Sequence, residues 1–425
     1  MDSNRDAAYK ALLDIEKKGA WSNLTLNEII SRVKPDDPAF VREIVYGTLK
    51  NKYLLDCYLR PFVKKGYDKL KPEILTILRM GAYQLVFMDS VPEYAAVSET
   101  VKLAKKYMRG MDRFANGVLR SLAGSEKIPE LPLEDEDLEA YLSAKYSCRR
   151  WIAEVLTDNF GKDGAEIFLK ESNKTPDLVI RVNLLKNTPD ELITELEKRG
   201  FSAERSDISA RALKVKGSGL LDTDLYKEGR FSVQDEASIC AVDVLDPKRG
   251  MRVMDMCAAP GGKTVSIAEL MGNEGEIRAF DVYEHRVGLI SRQAERCGVD
   301  IIRAELRDGT RFYDEDKEGY DRVLCDVPCS GLGVIRRKPE IKYNEPFDIG
   351  ELNRIQSALL RNAAEYVRPG GYLVYSTCTV DRRENENITG DFLRENKGYT
   401  LKDERRMGPE KGTDGFYIAK IFREA

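Results

Sequence analysis

The sequence predicts a multidomain protein: an all-α N-terminal domain, a small α+β middle module and a C-terminal, doubly wound α/β domain. Three observations predict this. A chain of 425 residues exceeds what one ordinary core holds, so length alone suggests two or three domains. Apolar residues recur at helical spacing through residue 122. From Met251 onward the rhythm changes to short strands, tight turns and helices.

In the first domain, placed at 1–127, Ala8, Leu12 and Ile15 share one helix face. Ile44 with Leu49, and Ile74, Leu75 and Leu78, do the same in their own segments. Gly19, Pro35, Gly66 and Pro92 punctuate the helices. Glu99-Thr-Val-Lys-Leu-Ala-Lys-Lys-Tyr-Met reads as another amphipathic helix. An acidic linker follows at 128–140, two prolines and then acids. The module at 141–235 alternates helix and strand: helices over 151–159 and 189–199, extended Leu178-Val-Ile-Arg-Val-Asn, and Leu213-Lys-Val-Lys. In the last domain, 236–425, strands are predicted at Met251-Arg-Val-Met-Asp-Met, Gly275-Glu-Ile-Arg-Ala-Phe-Asp, Ile301-Ile-Arg-Ala-Glu, Asp321-Arg-Val-Leu-Cys-Asp and Gly371-Tyr-Leu-Val-Tyr-Ser.

Composition excludes several classes. With 42% hydrophobic and 33% charged residues the chain reads as globular and soluble. No apolar run reaches the roughly 18 residues of a membrane span. The N-terminus opens on a charged amphipathic stretch rather than a signal peptide, which predicts a cytoplasmic protein. The eight cysteines form no C-x-x-C pair and there is one histidine, His285, so zinc patterns are missing and no metal is expected. Most of the thiols are expected to be reduced and buried. Residues 1–127 carry 22 Lys and Arg against 16 Asp and Glu, a surplus compatible with RNA contact.

The chemistry concentrates at strand ends. Asp255-Met-Cys-Ala-Ala-Pro-Gly-Gly-Lys-Thr closes the first strand and opens a helix, letting backbone approach a ligand closely. A P-loop would need glycine at position 257, which is Cys257, and the G-x-G-x-x-G pattern is absent; a purely structural glycine turn stays open. Asp281 ends the second strand, where an acid can accept ribose hydroxyls, and Asp308 follows the third, placed for an adenine amino group. These acids fit an adenosine-bearing ligand without polyphosphate, and S-adenosylmethionine is the natural candidate. His285 reads as a surface or packing residue.

The fourth strand ends in Asp326-Val-Pro-Cys-Ser-Gly-Leu-Gly and the fifth in Tyr375-Ser-Thr-Cys-Thr. Cys329 and Cys378 therefore share the rim with the ligand loop, whereas Cys325 belongs inside a strand. A thiolate adding to carbon 6 of cytosine makes carbon 5 nucleophilic, which is what methyl transfer to that carbon requires. Chemistry alone leaves either cysteine as the one that adds.

Those three motifs, in that order, resemble the Sun/RsmB family of 16S ribosomal RNA cytosine-C5 methyltransferases, with a Rossmann-like catalytic domain. The resemblance implies Cys378 as nucleophile, Cys329 in product release, and Asp326 facing both cofactor and cytosine. It also implies cofactor contacts from Cys257, Ala258, Ala259, Pro260, Gly261, Gly262, Lys263, Asp281, Asp308 and Asp326. Leu78-Arg-Met-Gly-Ala-Tyr-Gln-Leu-Val-Phe-Met-Asp, Val91-Pro-Glu-Tyr-Ala-Ala-Val and Asn116-Gly-Val-Leu-Arg resemble the NusB-like RNA-binding domain fused to such enzymes. Ile180-Arg-Val-Asn and Asp414-Gly-Phe-Tyr-Ile-Ala-Lys extend the resemblance over nearly the whole chain.

Val327 stands where alanine is usual and is expected to add bulk near the base pocket; Ala115 and Cys148 depart only as packing changes. The basic run Val334-Ile-Arg-Arg-Lys-Pro-Glu-Ile-Lys is expected to contact phosphates, a solvated loop being the alternative. A paired cytosine would have to be flipped out. The partner implied is small-subunit ribosomal RNA, and nothing demands more than a monomer. Two rivals remain: an RNA-binding assembly factor with an idle methyltransferase scaffold, and a transfer RNA substrate.

Overall fold

The structure, a computed structural model, describes residues 2–18, 22–63 and 66–425, so Gly19 lies outside the described residues. The chain forms two compact units. One is Met1–Lys174 with Ile335–Pro346, the other Thr175–Val334 with Phe347–Ala425.

The described residues of the first unit are helical: α1 (Ser3–Lys18), α2 (Ser22–Val33), α3 (Pro38–Lys50), α4 (Lys52–Leu59), α5 (Pro72–Phe87), α6 (Glu93–Tyr107), α7 (Asp112–Ala123), α8 (Leu138–Tyr146) and α9 (Arg150–Asn173), with short 3-10 turns. Helix α5 is buried along most of its length, with Ile74, Ile77, Leu78 and Met80 in the core. Helix α7 buries Ala115, Val118, Leu119 and Leu122, a single stripe at helical spacing. The two helices meet at Gly81, where a Cβ would stand 2.8 Å from both δ-carbons of Leu119. A charged knot crosses this core. Asp56 accepts from Arg79 Nε at 2.7 Å and Nη2 at 2.9 Å and from the Tyr67 hydroxyl at 2.6 Å. Such bidentate geometry is what offsets the desolvation of a buried pair.

Segment Ile335–Pro346 buries part of the basic run. Lys342 is 1% exposed, and its Nζ donates to the Lys50 carbonyl at 2.9 Å and Asn173 Oδ1 at 2.8 Å. Burial pushes its pKa down to about 7. Ile335, Arg336, Pro339 and Ile341 are buried as well, while Arg337 is half-buried and Lys338 exposed.

The second unit holds two sheets. A four-stranded antiparallel sheet, order β2-β3-β1-β4, is built from β1 (Leu178–Val182), β2 (Ser202–Arg205), β3 (Ala212–Lys216) and β4 (Phe231–Val233). Helices α10 (Pro189–Glu197) and α11 (Asp224–Lys227) accompany it, and α12 (Glu236–Leu245) leads to the larger sheet. That sheet runs β5 (Arg252–Asp255), α13 (Gly262–Leu270), β6 (Glu276–Asp281), α14 (Glu284–Cys297), β7 (Ile302–Leu306), β8 (Tyr320–Asp326), α15 (Ile349–Tyr366), β9 (Val367–Thr377), α16 (Glu386–Glu395), β10 (Tyr399–Met407) and β11 (Phe416–Arg423). Spatial order is β10-β11-β9-β8-β5-β6-β7. The five predicted strands, β5 to β9, are parallel neighbours; β10 and β11 add an antiparallel edge that the sequence reading did not predict. The chain winds outward from β5 through β6 and β7, then returns to lay β8 on the other side of β5. That reversal opens a crevice at the carboxyl ends of the strands, where ligands of such sheets bind.

Arg181 of β1 is fully buried and grips α13. Its Nε and Nη2 meet the two oxygens of Glu269 at 2.8 and 2.9 Å, and Nη1 donates to the Gly262 carbonyl at 2.9 Å. Arg181→Ala strands the Glu269 charge and is expected to cost about 3–5 kcal/mol. Chemical denaturation checks this, with Arg181→Leu combined with Glu269→Leu recovering most of the loss.

Candidate functional site

The loop after β5 turns into α13 through Gly261, whose φ of +103° and 2.9 Å approach of a Cβ to Ile290 Cα exclude any other residue without strain. Gly262 opens α13, so the first-turn N–H groups are free to face a ligand. Ala258, Ala259 and Pro260 keep the loop small-sided, and Cys257 is half-buried. Burial, then the neighbouring Cys325 and acids, push the Cys257 thiol well up, so it stays protonated. Asp255, at the end of β5, accepts from Thr264 Oγ1 at 2.7 Å, and its Oδ1 has no partner among the described residues.

Lys263 reaches across to β8. Its Nζ donates to Asp326 Oδ2 at 2.7 Å, and Ser376 Oγ of β9 donates to Asp326 Oδ1, also at 2.7 Å. Burial works against the ammonium, but Asp326 outweighs it and its pKa is raised. Cys329 follows β8 and Cys378 follows β9; both are half-buried, with their sulfurs 3.1 Å apart. The Cys378 hydrogen bond, burial and nearby negative charge all push the Cys329 thiol up. Cys325 is fully buried inside β8.

Asp281 ends β6 and Asp308 follows β7, on the same edge of the sheet. Asp281 is buried and accepts from the Tyr283 N–H at 3.0 Å; Asp308 accepts from the Thr310 N–H at 3.0 Å and remains partly open. His285 is an exposed residue of α14, its ring 5.8 Å from that of Tyr283. Val327 is 4% exposed and packs in the core with Met254, Cys325 and Tyr375, so its extra bulk goes inward.

Two groups escaped the sequence reading. Val282, Tyr283 and Leu306 leave large apolar surfaces half-exposed beside these acids. Their signal was position, each adjoining a strand end. The other group is Gln356, Glu384 and Asn385, which join Ser330 and Thr379 of the two cysteine motifs in one polar network that no sequence pattern marks.

A doubly wound sheet with a glycine loop, strand-end acids and paired cysteines on one rim defines a Rossmann-like methyltransferase. Comparison places it more narrowly. Residues 242–422 match the model of the 16S rRNA methyltransferase RsmB/F family, residues 2–124 the NusB family, and residues 149–221 the ferredoxin-like domain of RsmF/B-like methyltransferases. The probable ribosomal RNA small subunit methyltransferase B of Bacillus subtilis is 37% identical, covering 99% of this chain and 98% of that protein. The crystal structure of PH0851 superposes with a TM-score of 0.83 at 29% identity, covering 98% of each chain. That of NSun6 from Pyrococcus horikoshii with SFG gives 0.60 at 25% identity, covering 64% of this chain and 98% of the other. The chain belongs to the RsmB/F family of methyltransferases, with a NusB-like helical domain and a ferredoxin-like module.

Burial raises the Asp255 pKa to about 7. A carboxyl with a raised folded value holds its proton more tightly in the native state. Its stabilising contribution is full below the unfolded value near ~4 and is lost as pH rises to about 7. Asp255→Asn should therefore gain on the wild type in thermal melts between pH 4.5 and 7.5; a pH-independent difference would overturn the assignment. The two rim thiols are also close enough to couple. Diamide, taking up their two hydrogens, should convert Cys329 and Cys378 to a disulfide found by peptide mapping, and an unchanged thiol count would contradict the geometry.

Proposed function

We propose that the protein methylates carbon 5 of a cytosine in small-subunit ribosomal RNA, using S-adenosylmethionine and a covalent cysteine–cytosine adduct. One observation carries the reading. Two thiols lie 3.1 Å apart on the strand-end rim that also carries the Lys263–Asp326 pair. The names of the relatives, ribosomal RNA small subunit methyltransferase B, support the substrate class.

The residues fit the cofactor. Gly261 keeps the loop tight against α14, where a Cβ would strike Ile290, Asp281 at the end of β6 and Asp308 past β7 offer carboxylates, and Val282, Tyr283 and Leu306 offer apolar surface for a flat base. Cys257, Ala258, Ala259, Pro260 and Lys263 complete the loop that would hold it. The related NSun6 structure carries SFG, an S-adenosylmethionine analogue, which supports the same choice. Bound S-adenosylmethionine supplies an electrophilic methyl group.

In this reading Cys378 Sγ, as thiolate, adds to carbon 6 of the base and makes carbon 5 nucleophilic. Asp326, held by Lys263 and Ser376, faces the cytosine edge and orients it. After carbon 5 has gained its methyl group, a base takes the carbon 5 proton, the C–H electron pair re-forms the carbon 5–carbon 6 double bond and Cys378 leaves as thiolate, with Cys329 assisting release. Residues 1–127 are assigned to RNA binding, followed by the linker, the module at 141–235 and the catalytic domain from 236. Among the described residues no helix is long and apolar enough to cross a membrane.

Cys378→Ala should abolish transfer and leave cofactor affinity unchanged. Cys329→Ala should accumulate an enzyme–RNA adduct on a denaturing gel. Bisulfite sequencing of a deletion strain names the base. A missing mark in transfer RNA instead, or adduct formation by Cys378→Ala, would overturn the corresponding part.

A further inference from the structure

Glu384 lies six residues beyond Cys378 and is fully buried. It is the hub that joins the two cysteine loops. Its Oε2 accepts from the Ser330 N–H at 2.9 Å and from Gln356 Nε2 at 3.0 Å, while Oε1 accepts from the Ser330 hydroxyl. The same Gln356 nitrogen donates to the Pro328 carbonyl at 3.0 Å. The carboxylate thus holds the residues on both sides of Cys329. Its own backbone carbonyl accepts from the Tyr375 hydroxyl of β9 at 2.6 Å.

The hydroxyl protons can be placed by counting. Ser330 has one, and it goes to Glu384. The 2.8 Å contact between the Ser330 and Thr379 hydroxyls must then be filled by the Thr379 proton. Thr379 Oγ1 in turn accepts from the Asp381 N–H at 3.3 Å. The chain of donors runs from the Cys378 loop into Glu384, and every group bonded to its side chain is a donor. The Ser330 and Gln356 N–H donors favour the charged carboxylate, which can only accept, against burial, which pushes the Glu384 pKa up.

We propose that Glu384 is a positioning residue that fixes the Cys329 loop and keeps the proton of the thiol pair on Cys329, leaving Cys378 as the sulfur that ionises. The proposal rests on the reading that these cysteines act on the base. The two sulfurs face opposite charges. Glu384 sets a negative charge against Cys329, adding to the hydrogen bond with Cys378 and to burial, which also hold that thiol protonated. The Lys263 ammonium, tethered by Asp326 and with Asp255 nearby, lies in the field of Cys378. Either sulfur can donate across the 3.1 Å contact; with a carboxylate behind Cys329, in this proposal Cys329 is the donor and Cys378 the acceptor. The division of labour between two chemically identical side chains then follows from the charges behind them.

Alkylation reads thiol ionisation without RNA or cofactor. The full-length protein is treated with iodoacetamide at pH 8 and the labelled peptides are quantified. In the wild type Cys378 should be labelled at least tenfold faster than Cys329. E384Q keeps the size and removes the charge, and should raise the Cys329 share at least tenfold. E384D keeps the charge and should retain the Cys378 preference. A wild-type labelling ratio in E384Q overturns the proposal. If E384Q does not fold, the single-thiol proteins C329S and C378S carry the test, and equal labelling rates overturn it. A lost preference with the enzyme–RNA adduct intact sinks the role of Glu384 alone. A retained preference with no adduct sinks the cysteine chemistry alone.

Discussion

The carboxylate of Asp326 is bonded on both oxygens, and the geometry of the rim depends on those two bonds. Lys263, from the first turn of α13, takes one oxygen, and Ser376, near the end of β9, takes the other. One side chain thereby fixes three pieces of chain: the glycine loop, the end of β8 that leads to Cys329, and the end of β9 that leads to Cys378. The pair is only partly screened, with the Lys263 and Asp326 side chains 17% and 24% exposed. In such a setting a charge-assisted bond is stronger than at a surface, and a missing partner is costly. The glycine loop and the two sulfurs are held in register by the same few atoms.

Behind the rim lies a second tier of support that does no chemistry. Arg181 clamps Glu269 and the Gly262 carbonyl, so the antiparallel module braces the start of α13 from below. Asn183, two residues on, donates to the Gly229 carbonyl at 2.8 Å and the Cys297 carbonyl at 2.9 Å, tying the module to the end of α14. The motif Ile180-Arg-Val-Asn is therefore a structural connector. Its polar residues alternate with Ile180 and Val182 as a strand requires, the latter two facing the core of the module. Glu384 plays the matching part for the cysteine loops.

The helical unit shows how burial changes the meaning of a charged residue. Lys342 reads in sequence as one cation of a basic run, yet its ammonium is spent on a backbone carbonyl and an asparagine inside the first unit. Arg79 is likewise absorbed by Asp56 and Glu16. Counting cations along a chain overstates the charge a surface can offer, because side chains satisfied internally no longer meet a phosphate.

By itself the sequence determined the class of every part. Helical spacing around Ile74 and Leu78 marked the first domain, and the strand–turn–helix rhythm marked the sheet, because these periods are set by local backbone geometry. The glycine loop and the strand-end placement of Asp281, Asp326, Cys329 and Cys378 were legible too, since ligands of a doubly wound sheet gather at strand ends. The antiparallel edge β10–β11 was not, because its pairing with β9 is a long-range choice. Nor was the inward turn of Val327 or the burial of Lys342. Tertiary structure alone decided that the two sulfurs stand 3.1 Å apart with Glu384 behind one and Lys263 near the other. Residues 49 positions apart, just past the ends of neighbouring strands, meet only after the sheet has formed.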